Sequence, residues 1–310
     1  MLRHLAALSW SFPAGEARIH AISVYAAPTR TARGVIYVPR IAAERGTEGV
    51  ACVDDVARAS ILAAQLAERD DDATAAVLAG RWLRFVHYMQ LGDGRVTNFI
   101  VNRQGQRNLT GATSFAGGAW WTARALWAWA VAYRVFGSRR ALEALLRCPI
   151  PAPETPGELK TRAVLALAGV NILRSPAPRE LRERWRRYVR YWCDAMVYAA
   201  RERPYVPDLP GDDAVQLWGY HQLHALAEAG AELRDPAYLD TAEQTVAGLV
   251  APVLAGNFYY AYPTERAHQC AYCVAPLAQG LAALYRATGQ ARYRALALQT
   301  CAWFDGANDA

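Results

Sequence analysis

Apolar residues recur along the chain at helical spacing, in long segments broken by Gly, Pro and Asp. The spacing predicts helices over about residues 48–68, 71–90, 118–137, 139–147, 157–174, 178–201, 212–231, 236–254, 267–288 and 290–304. Segments 48–68, 118–137, 157–174, 212–231 and 267–288 are apolar on most sides; 71–90, 178–201, 236–254 and 290–304 keep a charged face. A helix apolar all round is an inner wall, and an amphipathic one is an outer wall. Repeated inner–outer pairs therefore predict an all-α fold of concentric helical rings, in one domain over 1–310. Five pairs are legible. A sixth would come from residues 1–46, although Val35-Ile-Tyr-Val-Pro39 reads as a short strand or an extended arm, so the ring is either complete or one hairpin short.

Three long connections, 91–117, 202–213 and 255–266, lead into inner helices. Long loops on one face of a rigid scaffold are where function gathers. In the first, Val96 to Val101 alternates as a strand does and Gln104-Gly105 suits a turn, which predicts a short β-hairpin around 93–105.

Charge changes little in this picture. The net charge is +6, but Lys160 is the single lysine among 34 basic residues, and the arginines are spread along the chain. The densest run, Arg179 to Arg190, interleaves Glu180 and Glu183 and reads as a solvated helix face, so no nucleic-acid partner is expected. No apolar run approaches the roughly 20 residues of a membrane span. No convincing small-residue cleavage site follows the N-terminal apolar stretch, so a signal peptide is not the expectation. The expectation is a cytoplasmic protein with no membrane partner. The six cysteines sit in or beside apolar helical patterns and read as buried structural thiols.

The candidate chemistry sits at helix starts. Val53-Asp-Asp-Val-Ala-Arg58 places two carboxylates and an arginine on an otherwise apolar helix. Ionised groups there are costly unless paired or facing a wet cavity. Asp54 and Arg58 are four apart and can pair, whereas Asp55 points about 100° away. Asp212 and Asp213 open another inner helix, and Glu265 precedes a third. Capping is the competing explanation for each. Paired carboxylates matter because glycoside hydrolysis uses two, one to protonate the leaving oxygen and one to activate water or attack. The chain also has 10 Trp and 16 Tyr against 7 Phe. Flat rings with a polar edge suit the apolar face of a sugar. Trp121 and Arg124, Trp218 and Tyr220, Tyr262, and Asn98 in the first long loop are candidate substrate contacts. His221, His268 and Gln269 join them. His221 and His224 are three apart but no third ligand completes a metal set, so no metal is expected. Gly-rich phosphate loops, GxSxG and HExxH are absent, and no cofactor is expected.

At these residues the chain resembles the six-hairpin glycosidase superfamily, the (α/α)6 toroids, and more narrowly the helical domains associated with bacterial family 4 glycosyltransferases. Val53-Asp-Asp-Val-Ala-Arg58 is similar to a VDDNARA helix start. Asp93-Gly-Arg-Val-Thr-Asn-Phe99 resembles a G-x-F-x-N-F segment. Ser114 with Gly118-Ala-Trp-Trp-Thr-Ala-Arg-Ala-Leu-Trp-Ala128 resembles S-x-x-x-GRALWALG, and Trp303-Phe-Asp-Gly-Ala-Asn308 resembles WFLGxN. The family's acidic residues before its third inner helix are missing, since that segment reads Gly111-Ala-Thr-Ser-Phe-Ala-Gly117. The resemblance implies an (α/α)6 toroid acting on an oligosaccharide or glycoconjugate, with a glycosyltransferase or another carbohydrate-active protein as partner.

The leading expectation is a glycoside hydrolase. Asp55 is its acid or base, Asp54 is held by Arg58, and Asp213 or Glu265 is the partner carboxylate. Two alternatives stand beside it: a non-catalytic saccharide-binding toroid, and a sugar epimerase or isomerase using histidines as acid and base.

Overall fold

In the computed structural model, the described residues are 2–32, 34–43, 46, 48–150, 158–211, 215–257, 261–262 and 271–308. The chain forms two compact units, Met1–Pro151 with Arg174–Pro176, and Ala152–Leu173 with Ala177–Ala310.

The first unit opens with a short helix α1 (Leu2–Ala7) and two antiparallel ribbons. β1 (Ser9–Ala14) pairs with β2 (Ala17–Ile22), and β3 (Tyr25–Thr31) pairs with β4 (Gly34–Arg40). The sixth helical pair expected from residues 1–46 is therefore not formed there; the β-branched run Val35-Ile36 and Val38 takes strand geometry instead. β5 (Ala51–Cys52) then leads directly into α2 (Val53–Asp70), followed by α3 (Ala73–Tyr88), β6 (Phe99–Ile100), α4 (Ala119–Phe136) and α5 (Arg139–Arg147). β5 pairs with β6, so the loop strand foreseen near residue 100 finds its partner upstream of α2. The chain also folds back on itself in that loop through bridges Gln90–Val96 and Ile100–Arg107.

The second unit contains α6 (Leu159–Leu173), α7 (Arg179–Ala199), β7 (Val215–Gln216) and α8 (Gln222–Leu233). It continues with α9 (Pro236–Thr245), a π turn (Val246–Val250), α10 (Ala251–Gly256), β8 (Ala261–Tyr262), α11 (Ala271–Thr288) and α12 (Ala291–Ala302). α8 starts about ten residues later than its apolar pattern predicts, because Val215–Gln216 pairs with Ala261–Tyr262 and the chain turns before His221.

Local chemistry sets the hairpins. At three of them a residue in the left-handed region ends one helix and the very next residue caps the following one: Asp71 then Asp72, Gly137 then Ser138, Arg234 then Asp235. The Asp72 carboxylate accepts from the Thr74 and Ala75 N–H groups at 2.8 and 3.1 Å. Burial follows the predicted alternation. α4 is buried without a break from Trp121 to Tyr133, and α6 is buried on almost every side. α7 buries one stripe, Leu181, Trp185, Val189, Trp192 and Met196. Gly169 permits the close approach of α6 and α7, since a Cβ there would lie 2.3 Å from the Val189 side chain.

Candidate active site

The helix start that carries the two aspartates is fixed by its neighbours in the first unit. Cys52 is the N-cap of α2, and its Sγ accepts from the Asp55 N–H at 3.5 Å. Asn98, from the loop before β6, adds a second cap. Its Oδ1 accepts from the Val53 and Asp54 N–H groups at 3.1 and 3.4 Å, and its amide donates to the Thr113 carbonyl at 3.0 Å. Asp54 and Asp55 thus occupy the first turn, where the positive end of the helix dipole favours carboxylates.

The two carboxylates have different partners. Asp54 is buried, and Arg124 Nε on α4 stands 2.8 Å from its Oδ1. The Arg124 guanidinium lies over the rings of Trp120 and Trp127, at 4.7 and 5.7 Å from their centroids. Indole faces on a buried cation offset part of its lost hydration. Arg58 stands 3.8 Å from Asp54 Oδ1 and bonds directly to Asp55 Oδ1. Asp55 keeps 25% of its side-chain surface open. Burial raises its pKa above the usual aspartate value; Arg58 pulls it down and the Asp54 charge pushes it up. One carboxylate is thus a fixed counter-ion, and its neighbour holds a proton more readily than a free aspartate does.

Asp54, Asp55, Arg58, Asn98 and Arg124 therefore form one cluster. Trp121 serves the same loop from below: its indole N–H donates to the Val96 carbonyl at 2.9 Å and its ring meets Phe115 edge-on at 5.0 Å. Glu48 is a buried carboxylate that the sequence pattern did not single out. Thr113 Oγ1 donates to it at 2.7 Å, so Glu48, Thr113 and Asn98 form a chain leading to the start of α2.

In the second unit, Trp218 meets Tyr272 edge-on at 4.9 Å, with Lys160 Nζ 5.8 Å from the Trp218 ring. Tyr220 is fully buried and donates to the Val206 carbonyl at 2.8 Å. His221 is the N-cap of α8, with its ring 6.0 Å from that of His224. Tyr262 lies in β8 with its ring 5.9 Å from Tyr205. Asp208, which the pattern also left aside, accepts from the Gln216 N–H at 2.8 Å and from Gln222 Nε2 at 3.2 Å. Burial raises its pKa, against the pull of Lys160. A carboxylate inside Pro207-Asp208-Leu209-Pro210 carries no helical pattern to mark it. Asp213, Glu265, His268 and Gln269 lie outside the described residues.

Among the described residues no group of three or more His, Cys, Asp or Glu is placed to hold a metal ion. A surface cleft of about 500 Å3 in the first unit is lined by His87, Arg140, Glu143, Ala144, Leu146 and Arg147, none of them in the acid cluster.

No family model matches the chain, and no curated protein matches it. Solved structures do. A sugar epimerase from a ruminal bacterium superposes with a TM-score of 0.64 at 11% identity, covering 87% of this chain and 79% of that one. Cellobiose 2-epimerase from Spirochaeta thermophila DSM 6192 gives 0.63 at 14% identity, over 87% and 78%. An unsaturated glucuronyl hydrolase specific for heparin gives 0.53 at 12% identity, over 89% and 78%. Similarity at this identity speaks for fold alone. The chain has the all-α toroid fold class of these neighbours, with small antiparallel sheets added.

Proposed function

We propose that the protein is a carbohydrate-active enzyme in which Asp55 is the proton-donating carboxyl of glycoside cleavage. The observation that carries this reading is the contrast within one helix turn. Asp54 is neutralised by Arg124 and Arg58, while Asp55 stays partly open with its pKa raised by burial. A general acid at neutral pH needs that shift. Asp213 and Glu265 are the sequence's candidates for the second carboxylate. The names of the fold neighbours, sugar epimerases and a glucuronyl hydrolase among them, agree with a saccharide substrate. A glycosyltransferase partner stays within this proposal on the strength of the sequence resemblance, and so does a cytoplasmic location as the sequence expectation.

A second reading is favoured by His221 and His224 at the start of α8 and by the epimerases among the neighbours. An epimerase removes and returns a proton at a sugar carbon, a task suited to histidine. One experiment separates the two. Incubation with a disaccharide panel, followed by mass-resolved chromatography, gives monosaccharides for a hydrolase and an isomer of unchanged mass for an epimerase. Hydrolysis abolished by Asp55→Asn supports the first reading. Isomer formation that survives Asp55→Asn and is lost in His221→Ala replaces it with the second. Binding without turnover of any member leaves a saccharide-binding toroid.

A further inference from the structure

The ribbon of β3 and β4 is unusual in what it leaves open. Tyr25, Val35, Ile36, Val38 and, just beyond the strand, Ile41 are each between 44% and 58% exposed. Soluble surfaces rarely gather so many large apolar side chains in so short a stretch. Val35 and Ile36 are consecutive strand residues and point to opposite faces, so neither face of the ribbon is a polar one. The sequence from Ala17 to Ala43 holds four arginines and no carboxylate; Arg30 and Arg40 are exposed on the two strands.

The register limits what can cover this surface. Pro28 faces Tyr37 and Pro39 faces Ala26 across the ribbon. A proline has no N–H to donate, so each sits where its nitrogen looks away from the partner strand. Each free edge therefore carries a proline, which blocks the addition of a third strand. A second copy of this chain would bring the same arginines into apposition. A protein groove would cover one face and leave the other bare. A layer that is apolar within and anionic at its surface matches both faces and the charge.

We propose that this ribbon docks the protein on an anionic phospholipid bilayer, with Val35 and Ile36 entering the headgroup–acyl boundary and Arg30 and Arg40 on the phosphates. The expectation of no membrane partner rested on helix length, and indeed no described helix is long and apolar enough to cross a membrane. A ribbon that enters only the boundary layer, Thr31–Gly34 end first so that both faces are covered, needs no such helix.

The test is co-sedimentation of the full chain with vesicles of phosphatidylglycerol and phosphatidylcholine, or of phosphatidylcholine alone. Binding is expected to the anionic vesicles, to fall at least tenfold in 0.5 M salt, and to be absent from the neutral ones. Val35→Asp with Ile36→Asp, both at exposed positions, is expected to keep the far-UV circular dichroism and lose at least tenfold in binding. Arg30→Gln with Arg40→Gln is expected to lose binding and salt dependence together. No binding to anionic vesicles overturns the proposal, as does binding that the aspartate pair leaves unchanged. A concentration-dependent dimer in sedimentation velocity that the aspartate pair abolishes overturns it in favour of a second copy.

Discussion

Arg124 Nε lies 2.8 Å from Asp54 Oδ1 while the arginine side chain is wholly out of solvent. Such a pair ties α4 to the first turn of α2, and its strength lies in what breaking it leaves behind. Removing one partner of a buried ion pair costs about 3 kcal/mol or more, because the other charge stays buried without its counter-ion. Arg124→Met is expected to lower urea-unfolding stability by that order. Asp54→Asn with Arg124→Met is expected to lose clearly less than the sum of the single changes. Simple additivity would show that the two side chains do not depend on each other.

Asn98 caps α2 from outside the helix, through the Val53 and Asp54 N–H groups. Asn98→Ala is expected to cost about 1–2 kcal/mol, the usual scale for a lost cap. Hydrogen exchange at the first turn of α2 should quicken while that of α7 stays as it was. Equal change in both helices would point to global destabilisation instead.

Asp55 binds its proton more tightly in the folded chain than in the unfolded one, chiefly through burial. Its contribution to stability is therefore complete below the ordinary aspartate range and is lost as pH rises through the raised value. Asp55→Asn removes that loss, so the variant's stability relative to the parent should climb with pH across this window. In the parent, turnover should fall on the alkaline side with an apparent pKa above that of a free aspartate. A flat stability difference between pH 3 and 8 would contradict the shift.

His87 shows the opposite sign. Burial, then Arg140 and Arg147, hold its pKa down to about 4 from the ordinary histidine value of 6.5. The neutral ring, stacked on Trp129 at 5.9 Å, is the native form. Its contribution is present above the unfolded value and is lost as pH falls from 6.5 towards 4, by at most ~3 kcal/mol. His87→Phe keeps a ring against Trp129 and should flatten this acid limb. Parallel stability curves for parent and variant in urea titrations between pH 4 and 7 would show that the ring titrates normally.

The helical hairpins were legible because period and punctuation agree in them. Segment 139–147 matches α5 residue for residue, and Asp71-Asp72 or Gly137-Ser138 announce their turns by chemistry. Where long-range pairing decides, local pattern fails. Ala51–Cys52 reads as helix until Phe99–Ile100 claims it as a strand, and Val215–Gln216 does the same with Ala261–Tyr262. The acid cluster was half visible. Spacing brings Asp54 and Arg58 together, but the link from Arg124 spans 70 residues of sequence and only tertiary packing supplies it. Glu48 sits at the very edge of the predicted 48–68 segment and Asp208 in a loop with no periodicity, so burial was the property that could have marked them.

Capping α2 with a sulfur atom gives the molecule an internal clock. Burial, aided by the charges of Asp55 and Asp54, keeps the Cys52 proton in place, so the native thiol is inert towards alkylating reagents. It reacts only during excursions that lift the acid-bearing turn off its seat. The rate at which Cys52 is labelled, set against exposed Cys301 as the fast reference, therefore times how often that seat opens, with no substrate needed to read it.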